Sequence, residues 1–249
     1  MTPHTLDDLG LPGSVYLWAL LRAHQQRLPI APTAELAMEA LQVLASHKIL
    51  ALPVDASAST LGLRQTPLEG IAWRWTWGAY QAESALPAIE DFLASISCDE
   101  LVLTLGATLW QRLVRDEAQA FYAEQLARCQ FDLHWQQDMA FAHHLSRLPL
   151  SAAQWRYCAW AAVRQGAALA RQGTLPASRV REGMYGEILR RAAALAAGHY
   201  GRCGFTPSSV QPPTALAQGL ACQWFNLGPA YWTALPSTEA LQPRIMTSG

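Results

Sequence analysis

The sequence predicts a mainly α-helical protein, with a small mixed helix–strand module at the N-terminus and a larger helical bundle domain behind it. Three observations predict this. From Glu83 onward apolar residues recur at spacings of three and four, the period of helices with one buried face. A single segment, residues 71–77, alternates as a strand does, with Trp73, Trp75 and Trp77 on one side and Arg74 and Thr76 on the other. The chain is 51% hydrophobic and 15% charged over 249 residues, enough for a sizeable core and unlike a disordered chain.

Pro12-Gly13-Ser14 reads as a turn and N-cap opening an apolar run over 15–23, which the Pro29 to Pro32 segment breaks. Thr33 caps a second helix over 34–47, striped by Leu36, Ala40, Leu41 and Leu44. A short strand over 49–54 and the strand over 71–77 complete a β-hairpin. Two or three helices followed by a hairpin resemble a winged-helix module, and that resemblance implies that residues 34–47 are its recognition helix. The module takes residues 1–84.

The helical domain, residues 85–235, reads as helices over 86–95, 99–113, 116–129, 135–147, 151–172, 178–200 and 214–225. Asp99-Glu100 and Asp116-Glu117 are placed at helix starts, where acids complement the dipole. Ser151 is an N-cap and Gly173 a stop. Residues 236–249 read as a flexible tail.

Charge divides the chain. Up to His144 there are 16 acids and 8 bases; from Leu145 on there are 10 arginines and 3 acids, so balances of −8 and +7 lie behind a net charge of −1. Either the halves neutralise each other or a basic surface awaits an anion. Lys48 is the one lysine among 18 basic residues, as a GC-rich coding bias would produce. Five widely spaced cysteines without a C-x-x-C pair suit a reducing cytosol. With no signal peptide and no long uncharged apolar run, the expectation is a cytoplasmic protein without a membrane span.

Within residues 151–172, Trp155, Cys158, Ala159, Ala162, Gly166 and Leu169 form a small apolar face. Arg156, Trp160, Arg164 and Arg171 fall on another. An aromatic ring between guanidiniums can stack on bases while the guanidiniums pair with phosphates. The next helix adds Arg179, Arg190 and Arg191 to these candidate nucleic-acid-binding residues. Trp73, Trp75 and Trp77 form either a core face or a partner-binding patch.

Other chemistry is weakly supported. His134 and Asp138 lie about 40° apart on one helix, but His143 lies about 180° and His144 about 80° from His134, so one helix cannot gather a metal's ligands. There is no nucleophile elbow, P-loop, zincin or dinucleotide fingerprint. An enzyme would need an assembled pocket, for which Tyr157, Tyr185, Glu187 and His199 are the candidates. No cofactor or metal is expected.

The leading expectation is a non-enzymatic, bacterial-type protein that binds nucleic acid, DNA or RNA, or serves as a subunit of a nucleic-acid-processing complex. The alternative is a protein-interaction module, an immunity or adaptor protein, masking a partner through the acidic N-terminal half and the aromatic strand.

Overall fold

The computed structural model describes residues 6–52, 73–76, 79–95, 99–199, 204–207 and 212–242. It is mainly helical. Helices α1 (Leu6–Gln26) and α2 (Ala34–Ser46) precede strands β1 (Leu50–Ala51) and β2 (Arg74–Trp75); α3 (Ala79–Ser95), α4 (Glu100–Arg128), α5 (Gln137–Ser146), α6 (Ala152–Arg171) and α7 (Ala177–Ala196) follow. Short helices α8 (Ala215–Gln218), α9 (Ala230–Thr233) and α10 (Thr238–Leu241) come last. Contacts gather the chain into two units: Met1–Gly106 with Gln211–Gly228 and Leu241–Gly249, and Ala107–Val210 with Pro229–Ala240. This division differs from a boundary at residue 84.

In the first unit, α1 starts earlier than Ser14. Gly10 takes φ 60°, a left-handed conformation that glycine adopts without a Cβ clash, and kinks α1 there, so that Pro12 falls in the first turn of the stretch that continues to Gln26. Leu17, Ala19, Leu20 and Ala23 are fully buried. The Thr33 side chain caps α2 by accepting from Leu36 N–H, and Leu36, Ala40, Leu41 and Leu44 are buried, as the stripe predicts, together with Met38. β1 and β2 pair antiparallel, Leu50 opposite Trp75, over two residues each. Helix, helix, strand, strand is the expected order. The ladder is minimal, however, and α1 also packs on α3 and α8, so the winged-helix likeness is not confirmed. Much of the expected hairpin, residues 53–72 and 77, lies outside the described residues.

Trp18 organises this unit. Its ring meets Trp224 edge to face at 5.4 Å, and its Nε1–H donates to Glu90 at 3.0 Å. Arg22 donates to the same Glu90 oxygen at 2.6 Å. α8 runs into a π-helical turn, Gly219–Trp224. A Cβ on Gly219 would stand 2.6 Å from Trp224 and 2.7 Å from Trp18, so this close approach requires glycine.

The second unit corrects one sequence expectation. Residues 99–113 and 116–129 are not two helices but the single α4. Asp116 and Glu117 therefore sit mid-helix, 2% and 3% exposed, and cap nothing. Asp116 accepts from Arg112 Nε at 3.2 Å and Arg115 Nε at 3.0 Å. Helix α6 starts at the predicted N-cap Ser151, which the structure extends to a capping box with Gln154; of its predicted small face Trp155, Cys158, Ala159, Ala162 and Gly166 are buried and Leu169 is half-buried. Gly166 lets α7 come close, since a Cβ there would overlap the Met184 side chain. The expected flexible tail, residues 236–249, instead carries the short helix α10, and its Leu241, grouped with the first unit, is fully buried.

Candidate nucleic-acid interface

The outer side of α6 and α7 carries a row of alternating rings and guanidiniums. The Arg164 guanidinium lies 4.8 Å from the centre of the Trp160 ring, one turn earlier on α6. Trp160 neighbours Tyr157 at 5.9 Å and Phe205 at 6.2 Å. Phe205 is held there by its backbone N–H, which donates to Ala153 O at 2.8 Å, and it remains 37% exposed. Arg191, from α7, lies 5.7 Å from the Tyr157 ring and donates to its hydroxyl at 3.0 Å.

Glu187 anchors the cationic end. Its carboxylate accepts from Arg190 at 2.7 and 2.8 Å and from Arg191 at 2.7 Å. Burial pushes its pKa up, but the two guanidiniums outweigh burial and hold it below the usual range. One carboxylate against two guanidiniums leaves this end positive. Arg164 and Arg171 are exposed and stand in no ion pair among the described residues. Together α6 and α7 carry seven arginines and two glutamates.

The other predicted residues fall elsewhere. Arg179 pairs with Glu182 at 2.6 Å on the solvent side. Arg156 is aligned with Trp160 in sequence, yet its guanidinium lies 4.2 Å from the Phe121 ring centre and 5.2 Å from that of Trp232. Its Nε is buried without a hydrogen-bond partner. It faces Glu117, whose carboxyl burial raises to about 7 against the pull of Arg156. Arg156 is thus a counter-charge for an interior acid. Arg181 is committed to Asp138 through two bonds of 2.7 and 3.0 Å. It pairs with an acid of the first half, whereas Arg179, Arg190 and Arg191 pair with glutamates on their own helix.

Trp73 and Trp75 share a face, their rings edge to face at 4.8 Å and both half-buried; Trp77 lies outside the described residues. His134 is exposed against Asp132, His143 packs on Trp155 at 5.0 Å, and Asp138 holds Arg181. No group of three potential metal ligands converges among the described residues. The candidate enzyme pocket is dispersed: Tyr157 and Glu187 share Arg191, Tyr185 lines a separate groove, and His199 is exposed. Sequence reasoning missed Phe205 and the Tyr157–Arg191 contact, because each joins distant segments. Among the described residues no single helix is long and apolar enough to cross a membrane.

No family model, no curated protein and no solved structure matches this chain.

Proposed function

We propose that this protein binds single-stranded nucleic acid through the outer face of α6 and α7, without catalysing a reaction on it, alone or as a subunit of a processing complex. The observation that carries this reading is the Arg164 guanidinium over the half-buried Trp160 ring, beside Tyr157 and Phe205. Single strands are held by rings that stack on bases and by guanidiniums that pair with phosphates, and here both stand in one row. Arg171, Arg190 and Arg191 extend the phosphate track. A winged-helix role for α2 adds nothing to it, since the exposed positions of α2 include Glu35 and Glu39 and its sequence carries no base.

The test is fluorescence anisotropy of a labelled single-stranded oligonucleotide at about 50 mM salt, the low end of ordinary comparisons. The expected result is binding that weakens steeply with salt and falls at least about tenfold in the double variant Arg164→Glu, Arg171→Glu. Absence of binding at that salt overturns the proposal. A second reading, a module that masks a protein partner, is favoured by the half-buried pair Trp73 and Trp75. In that case Trp75→Ala abolishes partner capture and leaves oligonucleotide binding unchanged.

A further inference from the structure

A groove of about 650 Å³ opens within the second unit, lined by residues before and on α5 and by the first turns of α7. That volume lies in the range of sites for small organic molecules, roughly 300–1,000 Å³. Three aromatic residues stand in its walls: Trp135, Phe141 and Tyr185. Phe141 is 56% exposed, on a helix that buries Asp138, Met139 and Ala142. Folding gains little from a large ring left in water.

The polar groups lining the groove are predominantly acidic. Asp132, Asp138 and Glu182 line it against Arg181. Arg181 spends two guanidinium nitrogens on Asp138, so the basic lining residue is neutralised in place. Asp132 accepts from the His134 backbone N–H at 2.9 Å, which favours its ionised form and pulls its pKa down. Glu182 pairs with Arg179 in an exposed bridge that water screens. Each of these carboxylates has a partner, Asp132 also meeting the His134 ring Nδ1 at 2.9 Å, but the lining still holds three acids against one guanidinium. Aromatic rings in a net-acidic concavity select a cation with an apolar body, because a ring's negative face attracts positive charge and the acids repel an anion.

We infer that the groove formed by Trp135, Phe141, Tyr185, Asp132 and Glu182 binds a small organic cation of the alkyl- or arylammonium class. This site is separate from the α6–α7 row and does not depend on nucleic-acid binding.

Isothermal titration of the full chain with benzyltrimethylammonium tests it, with benzyl alcohol as a neutral counterpart and benzoate as an anionic one. The ammonium should bind at least about threefold more tightly than the alcohol, a modest cation–π and charge preference. Phe141→Ala and Asp132→Asn should each weaken it by about threefold or more. Both positions are exposed, so circular dichroism should stay unchanged. No heat of binding at millimolar probe, equal binding of the alcohol, or unchanged affinity in both variants overturns the inference. Tighter binding of benzoate also overturns it, and assigns the groove to the positive N-terminal end of α7 instead.

Discussion

The two units hold themselves together by different means. Between described residues the first shows one ion pair, Arg22 with Glu90, partly exposed and built around Trp18. Its order comes from ring packing: Trp18 on Trp224 and backbone pressed against rings at Gly219. In the second, charge is an interior material. Asp116 and Glu117 are buried mid-helix, Arg156 is wedged against Phe121 and Trp232, and Asp138 is buried under Arg181. The first unit should therefore answer to changes in volume and the second to changes in charge.

The largest effect is expected at Arg156. Replacing it by methionine keeps much of the apolar stem but strips Glu117 of its counter-charge. Glu117, with a pKa of about 7, can take up a proton at pH 8 and so escapes most of the roughly 3–5 kcal/mol of an unpaired buried charge; with the two ring contacts also lost, urea denaturation of Arg156→Met at pH 8 should show a loss of about 3 kcal/mol.

Glu117→Gln should act in the opposite direction. A carboxyl raised from 4.5 to about 7 binds its proton more tightly when folded. Its contribution to stability is fully present below pH 4.5 and is lost as pH rises through 7. Glutamine has no such loss, so at pH 8 the variant should gain on the order of 3 kcal/mol over wild type, and close to nothing at pH 4.5. His143 has the reverse sign. Burial, with Arg115 adding to it, lowers it from 6.5 to about 4, so its contribution is present above pH 6.5 and lost as pH falls towards 4. The wild-type profile should be shallow between about 4.5 and 6.5, where the two slopes oppose, and fall above it. Thermal melts across pH would show this, and a profile rising steadily to pH 8 would contradict it.

In the first unit Gly219→Ala should cost about 1–3 kcal/mol, because rigid rings on two sides cannot yield to the new methyl. The smallest effect is the matched control. Gly186 is an exposed glycine in α7 with nothing within 4 Å of a new Cβ, and Gly186→Ala should gain about 0.5–1 kcal/mol. Equal melting shifts in these two variants would erase the proposed difference in packing.

Much of the fold was legible because helical periodicity is local. The buried stripe of α2 and the small face of α6 follow from spacings of three and four, and the N-cap at Ser151 from its residue type. The break expected before Asp116 was misleading for a physical reason. Paired acids resemble a helix start, but Arg112 and Arg115 lie within one turn and satisfy Asp116 inside a continuous helix. Nothing near Glu117 announces its burial, and the groups it is electrostatically coupled to include Arg156 and Tyr231, far along the chain. The site divides in the same way. Trp160 and Arg164, one turn apart, could be paired from sequence alone. Tyr157 with Arg191, and the seat of Phe205, require knowing which segments meet. Arg156 shows the limit of alignment: it shares the row's spacing, yet its guanidinium is turned against the interior rings.

The central claim is that ring stacking and phosphate pairing act together on the α6–α7 face. The most direct measurement is the salt dependence of single-strand binding for wild type, Trp160→Ala and the double variant Arg164→Gln, Arg171→Gln. Each phosphate contact contributes roughly 0.7 to the slope of log affinity against log salt. The double variant should lower that slope by about 1.4, whereas Trp160→Ala should weaken binding by about 1–3 kcal/mol with the slope unchanged. A slope that is the same in all three proteins, with Trp160→Ala binding as wild type does, would contradict the claim.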